Sequence, residues 1–286
     1  MTLRVGVIGH PVAHSISPRF QQAGFDAAEL DVSYSAWDLA PGELEGFIDG
    51  LRDDDALGAN ITIPYKEAAL RHMDGLHQTA RFVGAINTIV NNSGHLQGYN
   101  TDVTGFQRSL SEASFDPSGA HAVLWGAGGV ARAVAWALIW RGVEALTIIN
   151  RTAVRGGRLR HDLASASAGA SLKSLGADDE GVADALHSAD LVVQCTSIGL
   201  KGSETDGQLP FNPSHLSSDA FVADLIANPV ETPLVRAVRE SGRHAIGGLP
   251  MLVYQGAAAF ELWTEREAPV EVMLSQAEAA MAEAGS

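Results

Sequence analysis

The stretch His121-Ala-Val-Leu-Trp-Gly-Ala-Gly-Gly-Val-Ala131 runs from a short apolar strand into a glycine-rich turn, and an Ala- and Val-rich helical segment follows. Gly126, Gly128 and Ala131 have the G-x-G-x-x-A spacing of a dinucleotide-binding fingerprint in its strand–turn–helix context. Glycines such as these and Gly129 let the backbone approach a pyrophosphate, whose charge a helix N-terminus stabilises. Glycine-rich turns also serve packing alone, so a second signal is needed.

The second signal lies at the end of the next predicted strand. An NAD enzyme usually places Asp or Glu there, but this strand ends in Asn150 and Arg151. Residues 151–160 hold four arginines and no acid, and guanidinium groups suit the 2′-phosphate of NADP. The alternative is a solvated basic helix face, which fits the last two of these arginines. The residues predicted to bind NADP at this strand end are Asn150, Arg151, Thr152 and Arg155.

The overall composition indicates a folded chain without a nucleic-acid surface. Apolar residues make up 46% of the 286 residues, charged residues 19%, and the net charge is −15. The single cysteine, Cys195, rules out an internal disulfide framework and fits a reducing compartment. The N-terminus has no signal-peptide pattern and no apolar stretch suits a bilayer. We therefore expect a cytoplasmic protein, monomeric or homodimeric, that binds small molecules and neither nucleic acid nor membrane.

Short β-branched runs alternate with helical patterns along the chain, which predicts an α/β fold with mostly parallel sheets. The strands are expected at 3–9, 32–37, 57–62, 86–91, 121–125, 145–150, 190–195 and 220–225. The helices are expected near 17–30, 41–53, 65–72, 102–113, 128–141, 231–241, 250–265 and 270–283. The hairpin-like turn at 91–94, followed by the helix at 102, marks the boundary between an α/β domain over 1–101 and a Rossmann-type, doubly wound domain over 102–248.

One lysine stands out because the chain has 16 arginines and only three lysines. Lys66 follows a predicted strand that emerges at Pro64, and ligands of open α/β sheets bind at the carboxyl ends of strands. A compact ammonium can exchange protons in a way that guanidinium cannot. A lysine in the first turn of a surface helix is the alternative, weakened because cations are disfavoured there. Lys66 is thus a candidate catalytic residue.

Four further polar residues have two interpretations each. Asp102 opens a helix, where the helix dipole alone would favour it. Asn87 interrupts an apolar run and needs hydrogen-bond partners, so it is either a structural bridge or a ligand contact. Ser15 and Ser17 precede a helix with a proline in its first turn. One serine is explained as an N-cap, whereas two at a helix N-terminus also make a carboxylate site.

Seven segments form one ordered pattern along the chain. They are Gly9–Pro18, Asn60–Lys66, Gly84–Thr88, Gly98–Asp102, Gly126–Ala131, Asn150–Thr152 and Met251–Phe260. Together, over nearly the whole chain, they closely resemble the shikimate dehydrogenase family, although no one segment is specific. The resemblance implies NADP-dependent reduction of 3-dehydroshikimate to shikimate in aromatic amino acid biosynthesis. Hydride would pass directly between the substrate and the nicotinamide, so no metal is implied.

The same resemblance implies roles for individual residues. Lys66 and Asp102 would be the catalytic pair, and Ser15 and Ser17 would hold the substrate carboxylate. The residues implied to bind the ring hydroxyls or the carboxylate end are Asn60, Thr62, Asn87 and Gln255. The C-terminal helices of the family pack on its first domain, which implies a substrate domain of 1–101 plus about 249–286 and an NADP domain of 102–248.

The sequence departs from the family pattern at two places, of which the second bears on activity and substrate choice. Gln21 and Gln22 stand where the family often has His-Asn, and Ala227 stands where it usually has tyrosine. The alternatives are a member of the family that acts on quinate or an aminated shikimate, and an NADP-binding sensor with weak catalysis. The two serines favour shikimate over quinate, which carries an extra hydroxyl beside its carboxylate. The retention of Lys66 and Asp102 speaks against the sensor.

Overall fold

The computed structural model describes residues 2–167 and 169–285, which fall into two compact units. Unit 1 holds the chain up to Gly105 and again from Leu252 onward, and unit 2 is Phe106–Met251. Both divisions fall inside helices. Within the described residues, no helix has the length and apolar character needed to cross a membrane.

Unit 1 is built on a six-stranded mixed sheet with the order β2-β1-β3-β5-β6-β4. Its strands are β1 (Leu3–Gly9), β2 (Val32–Asp38), β3 (Gly58–Ile61), β4 (Gly75–Leu76), β5 (Thr88–Asn92) and β6 (His95–Tyr99). The first three run parallel, and β5 is antiparallel to both β3 and β6. Ile8 of β1 pairs with Ile61 of β3, so the carboxyl ends of these two strands lie side by side.

The helices of unit 1 come from both ends of the chain. They are α1 (Ser17–Ala27), α2 (Leu44–Asp49), α3 (Gln78–Val83), the start of α4 (Asp102–Glu112), most of α9 (Leu249–Thr264), and α10 (Val270–Gly285). Helix α10 packs along α1, and the ring of Phe25 in α1 lies 4.9 Å from that of Phe260 in α9. The C-terminal helices therefore complete the core of a unit whose sheet is entirely N-terminal.

Unit 2 contains a fully parallel six-stranded sheet with the order β12-β11-β10-β7-β8-β9. Its strands are β7 (His121–Trp125), β8 (Ala145–Asn150), β9 (Ser171–Gly176), β10 (Leu191–Gln194), β11 (Phe221–Asp224) and β12 (His244–Ile246). Its helices include α5 (Gly129–Trp140), α6 (Ala153–Leu163), α7 (Val182–His187) and α8 (Pro233–Glu240). This is the strand order of a Rossmann-type dinucleotide-binding fold, and the predicted fold class is confirmed.

The structure corrects several predicted elements. The helix expected over 65–72 is a turn followed by a 3₁₀ helix, Ala68–His72. The helix expected over 41–53 shortens to α2 and a 3₁₀ turn. The sequence analysis did not predict four strands, β4, β6, β9 and β12, and three helices, α3, α6 and α7. Strand β6 runs antiparallel because Ser93 and Gly94, both with positive φ, close a two-residue hairpin with β5.

Candidate active site

An ion pair between Lys66 and Asp102 lies at the centre of the candidate site in unit 1. The Nζ atom of Lys66 is 2.6 Å from Oδ2 of Asp102, with side chains 25% and 9% exposed. Lys66 lies in the turn that follows β3, where the chain has left the sheet, and Asp102 is the first residue of α4. An ammonium this close to a carboxylate, with part of its surface open to solvent, can give a proton to an adjacent oxygen or take one from it.

Asn87 holds the other oxygen of Asp102. Its Nδ2 donates to Oδ1 of Asp102 at 2.8 Å and to Oε1 of Gln255 at 3.2 Å. Its Oδ1 accepts from the backbone N–H of Thr101 at 2.7 Å, and the hydroxyls of Thr101 and Thr88 lie 3.1 Å away. Because a backbone N–H can only donate, the bond from Thr101 fixes the amide with its NH₂ group toward Asp102. Asn87 precedes β5 rather than lying within it, which corrects the predicted strand over 86–91.

Asn60, the last residue but one of β3, is buried, and both its side-chain oxygen and its side-chain nitrogen form hydrogen bonds. Its Oδ1 accepts from the hydroxyl of Tyr34 at 2.7 Å. Its Nδ2 donates to the backbone oxygen of Asn87 at 3.2 Å and to Oγ1 of Thr88 at 3.1 Å. Asn60 and Asn87 are thereby tied together through the antiparallel pairing of β3 with β5.

Gln255 reaches this cluster because Gly105 lets α9 approach α4 closely. A Cβ atom on Gly105 would lie 2.7 Å from both the Cβ and the backbone nitrogen of Gln255. The Nε2 of Gln255 donates to the oxygen of Leu252 at 2.7 Å, which leaves its Oε1 for Asn87. Lys66, Asn87, Asp102 and Gln255 therefore form one hydrogen-bonded group within unit 1.

Ser15 and Ser17 lie in and just after the loop between β1 and α1. The backbone N–H of Ser17 donates to Oγ of Ser15 at 3.2 Å, and Ile16, which has no capping side chain, holds the N-cap position. The same loop touches the segment after β3, since the N–H of His10 donates to the oxygen of Ile63 at 3.1 Å. A Cβ atom on Gly9 would lie 2.5 Å from Cγ2 of Thr62. Thr62 and the serine loop, residues 10–16, are thus neighbours at the carboxyl ends of β1 and β3.

The glycine turn of unit 2 has the open backbone that a pyrophosphate requires. Gly126 follows β7 directly with φ of +120°, and a Cβ atom there would lie 2.9 Å from Cγ2 of Thr196. Gly128 is the N-cap of α5 without a capping side chain, and added Cβ atoms on Gly128 and Gly129 would meet no atom within 4 Å. The backbone at the start of α5 therefore has free space beside it, and the first N–H groups of a helix have no partner within the helix, while Ala131 is fully buried.

The predicted phosphate-binding residues lie beside this turn. The N–H of Gly126 donates to the oxygen of Ile149 at 2.8 Å, and Asn150 follows as the end of β8. The amide of Asn150 donates to the oxygen of Thr152 at 2.9 Å, which shapes the turn that carries Arg151. Arg151 and Arg155 are exposed, and neither forms an ion pair with any residue in 2–167 or 169–285. Their guanidinium groups suit a phosphate ligand.

Several residues of the site were not predicted from the sequence. Thr101 and Thr88 orient Asn87, and Tyr34 orients Asn60. A signal for Thr101 existed, because it immediately precedes Asp102 in the segment Gly98–Asp102. Tyr34 gave no signal, since its hydroxyl meets Asn60 only through the packing of β2 beside β1 and β3.

Comparison with known proteins identifies matches over three parts of the chain. The model of the shikimate dehydrogenase substrate binding domain matches residues 7–89. The model of shikimate / quinate 5-dehydrogenase matches residues 109–206, and that of the shikimate 5′-dehydrogenase C-terminal domain matches residues 248–278.

Individual proteins are similar along almost their whole length. A shikimate dehydrogenase (NADP(+)) from Moorella thermoacetica is 46% identical over 274 residues, 94% of this chain and 90% of the relative. Shikimate 5-dehydrogenase from Thermus thermophilus, solved with NADP(H) and shikimate, has a TM-score of 0.86 at 34% identity, covering 97% and 99% of the two chains. Quinate dehydrogenase from Corynebacterium glutamicum, solved with NAD, has a TM-score of 0.90 at 31% identity, covering 97% and 99%.

Proposed function

Because the chain belongs to the shikimate dehydrogenase family, we propose that it catalyses the reversible, NADP-dependent reduction of 3-dehydroshikimate to shikimate. The chain is an oxidoreductase that acts on a CH–OH group, and the reaction is part of aromatic amino acid biosynthesis. The observation that carries the assignment to named residues is the 2.6 Å contact between Lys66 and Asp102 at the carboxyl edge of the unit 1 sheet.

Lys66 and Asp102 act as the catalytic pair in this proposal. The hydride for the carbonyl carbon would come from NADPH when it is bound in unit 2. The Nζ of Lys66 donates a proton to the carbonyl oxygen as negative charge develops there, and in the reverse direction it accepts the hydroxyl proton. Asp102 orients Lys66 through Oδ2, and Asn87 keeps Asp102 in place through Oδ1. The exposed fraction of Lys66 lets it exchange protons with solvent.

The other polar side chains of the candidate site in unit 1 bind the substrate in this proposal. Ser15 and Ser17 bind its carboxylate at the N-terminus of α1, where the helix dipole favours an anion. Thr62, adjacent to that loop, and Gln255, bonded to Asn87, bind the polar groups of the ring. Asn60 and Asn87 belong to the same site, with their hydrogen-bonding groups largely engaged within it.

Unit 2 binds NADP in this proposal. The open backbone at Gly128 and Gly129 and the uncapped start of α5 fit a pyrophosphate, and Gly126 permits the tight turn. The exposed arginines Arg151 and Arg155 fit the 2′-phosphate that distinguishes NADP from NAD. Asn150 and Thr152 set the shape of that turn.

We further propose that residues 1–101 with about 249–286 form the substrate-binding domain and 102–248 the NADP-binding domain. The protein works in the cytoplasm as a monomer or homodimer and binds no nucleic acid. The single cysteine supports the cytoplasmic location, and the net charge of −15 supports the absence of nucleic-acid binding.

A spectrophotometric screen tests the function directly. The purified chain is assayed at 340 nm with shikimate, quinate and simple 2-hydroxy acids, each with NADP and with NAD. Reduction of NADP with shikimate, at a catalytic efficiency well above that of the other pairs, is the expected result. Turnover with quinate and none with shikimate would replace the proposed substrate, and NADP binding without turnover on any substrate would support a sensor.

A further inference from the structure

Gln21 is a buried polar side chain that the proposed mechanism does not use. It lies in α1, is fully buried, and is one of the positions at which the sequence departs from the family pattern. Its Nε2 donates to the backbone oxygen of Gly256 in α9 at 2.9 Å. Because a backbone oxygen can only accept, this bond fixes the amide with its NH₂ group toward α9. Gln21 therefore links α1 to α9 by a hydrogen bond inside the core of unit 1.

The oxygen of the same amide has no partner. The Oε1 atom of Gln21 is buried and accepts no hydrogen bond from any residue that the structure describes. A buried acceptor without a partner costs free energy, and an apolar side chain of similar shape, such as that of methionine, would avoid this cost. The stability of the fold alone therefore does not explain why a glutamine occupies this position.

The backbone of α9 approaches α1 closely at this contact. A Cβ atom on Gly256 would lie 2.6 Å from Cε2 of Phe20 and 2.9 Å from Nε2 of Gln21. The preceding residue, Gln255, packs with its backbone against Gly105 of α4. Helix α9 is thus enclosed by α4 and α1 at two successive residues, and the hydrogen bond from Gln21 fixes its position on the side of α1.

Gln21 lies between two residues that bind the substrate in the proposed function. Ser17 precedes it by four positions in α1, so the two buried side chains lie on the same face of the helix, one turn apart. Gln255 is the neighbour of Gly256 in α9, and its Oε1 accepts from Asn87. The contact between Gln21 and Gly256 therefore sets the distance between the start of α1 and the side chain of Gln255.

We propose that Gln21 is a positioning residue for the substrate, which fixes Gln255 on α9 relative to Ser17 on α1. The proposal rests on the proposed function, in which Ser17 binds the carboxylate and Gln255 the polar groups of the ring. Gln21 touches neither substrate nor cofactor in this role. A substrate that is held at two ends binds most tightly when the two contacts have the right separation before it arrives.

The variant Gln21→Met separates positioning from packing, because methionine fills a similar volume without the donor. We expect the KM and Kd for shikimate to rise roughly 3–10-fold, the contribution of one hydrogen bond between neutral groups, while kcat and the KM for NADP stay within about twofold. The free energy of unfolding in urea should fall little or rise, since the unpartnered Oε1 is removed as well. Gln21→His keeps an N–H donor, and its KM for shikimate should stay within about twofold of the wild type.

Gln22→Met is the matched control, because Gln22 has the same side chain in the same helix but links α1 to β2. Its Oε1 accepts from the N–H of Tyr34 at 2.8 Å, and its Nε2 donates to the oxygen of Val32 at 3.0 Å. Gln22→Met should lower the free energy of unfolding and leave the KM for shikimate unchanged. The two methionine variants are thus expected to differ in opposite ways, one in substrate binding and the other in stability.

A second set of variants places Gln21→Met in a Gln255→Ala background, with calorimetry to give the Kd for shikimate. Since Gln21 acts through Gln255, it should have no further effect on shikimate binding there. The role of Gln21 alone is overturned by equal weakening in both backgrounds, by wild-type binding in Gln21→Met, or by a KM in Gln21→His as high as in Gln21→Met. Wild-type shikimate binding by Gln255→Ala overturns the contact between Gln255 and the substrate, and the role of Gln21 with it.

Discussion

The Nζ atom of Lys66 and the Oδ2 atom of Asp102 lie 2.6 Å apart although 36 positions separate the two residues in the sequence. Both oxygens of the Asp102 carboxylate have a donor, since Asn87 occupies the other one at 2.8 Å. The carboxylate cannot turn away from Lys66 without losing both bonds. In the proposed mechanism this fixes the ammonium relative to the substrate oxygen before the substrate arrives.

Removal of the ammonium should abolish most turnover. We expect Lys66→Ala to lower kcat by roughly 10²–10⁴-fold, the usual contribution of a general acid–base group, with little change in NADP binding. Lys66→Arg should be nearly as damaging, because a guanidinium stays protonated and its planar fork does not fit the position of Nζ. Steady-state kinetics and cofactor titration measure both effects. The exposed Lys173 provides the control, since Lys173→Ala should leave kcat unchanged.

If the two residues work as a unit, the double variant Lys66→Ala/Asp102→Ala should be little worse than the poorer single variant. Multiplicative losses would show independent roles. Near-wild-type turnover in Lys66→Arg would show that Lys66 binds the substrate through its positive charge and does not transfer a proton.

Arg151 should determine the preference for NADP over NAD. We expect Arg151→Ala to raise the KM for NADP at least about tenfold and to leave the KM for NAD nearly unchanged, because only NADP carries the 2′-phosphate. Arg160→Ala, an exposed arginine later in α6, is the matched control and should affect neither constant. Equal losses with the two cofactors would show that Arg151 does not contact the 2′-phosphate.

The close approach of α4 and α9 at Gly105 should be intolerant of a single methyl group. Because the added Cβ would lie 2.7 Å from the backbone nitrogen of Gln255, Gly105→Ala should separate the helices and withdraw Gln255 from Asn87. We expect a loss of roughly 1–3 kcal/mol in the free energy of unfolding and a raised KM for shikimate. Gly46→Ala in α2, where a Cβ would meet no atom within 4 Å, should be neutral or slightly stabilising. A Gly105→Ala variant as stable and active as Gly46→Ala would refute the proposed contact.

A buried carboxylate in unit 2 should make stability depend on pH. Burial raises the pKa of Asp224 from 3.8 to about 6, against the opposing effects of its hydrogen bonds from Thr232 and the N–H of Ile226. A raised pKa means that the folded state binds the proton more tightly than the unfolded state does. The stability from this group is therefore complete below pH 4 and is lost as the pH rises through 6.

Thr232→Val removes the hydroxyl that donates to Asp224 at 2.6 Å and accepts from the N–H of Val235 at the start of α8. The ionised carboxylate then loses a donor, so the pKa of Asp224 should rise further. We expect urea unfolding to show a larger loss of stability at pH 7.5 than at pH 5, and Thr232→Ser, which keeps the hydroxyl, to follow the wild type. Equal losses at the two pH values would contradict this assignment.

The sequence was informative wherever a residue type conflicted with its surroundings. Lys66 stood out in a chain that otherwise uses arginine, and it lies at the carboxyl edge of a sheet, as its position after a strand predicted. The glycine turn in its strand–turn–helix context predicted a Rossmann-type unit, and the parallel sheet confirms that fold. These signals depend on residues close together in the sequence, so they can be recognised without knowledge of the tertiary structure.

Apart from Thr101, which precedes Asp102 directly, the residues that orient the site had no such local signal. Thr88 meets Asn60 only because β5 runs antiparallel to β3 in one particular register, whereas the alternation of strands and helices predicted mostly parallel pairing. Tyr34 meets Asn60 only because β1 pairs with β2 on one side and with β3 on the other in one particular register. Pairings of this kind depend on register, and a shift by one residue would place each side chain on the opposite face of the sheet.

The discontinuous make-up of unit 1 constrains the order in which the protein can fold during synthesis. Its sheet leaves the ribosome first, yet the helices that cover α1, and Gln255 with them, are translated after the whole of unit 2. At about 5–20 residues per second, the intervening 146 residues of Phe106–Met251 take on the order of 10 seconds to make. Unit 2 is thus the first unit for which the whole sequence has been translated. The face of α1 that packs against α9 and α10 stays uncovered until those two helices have been translated.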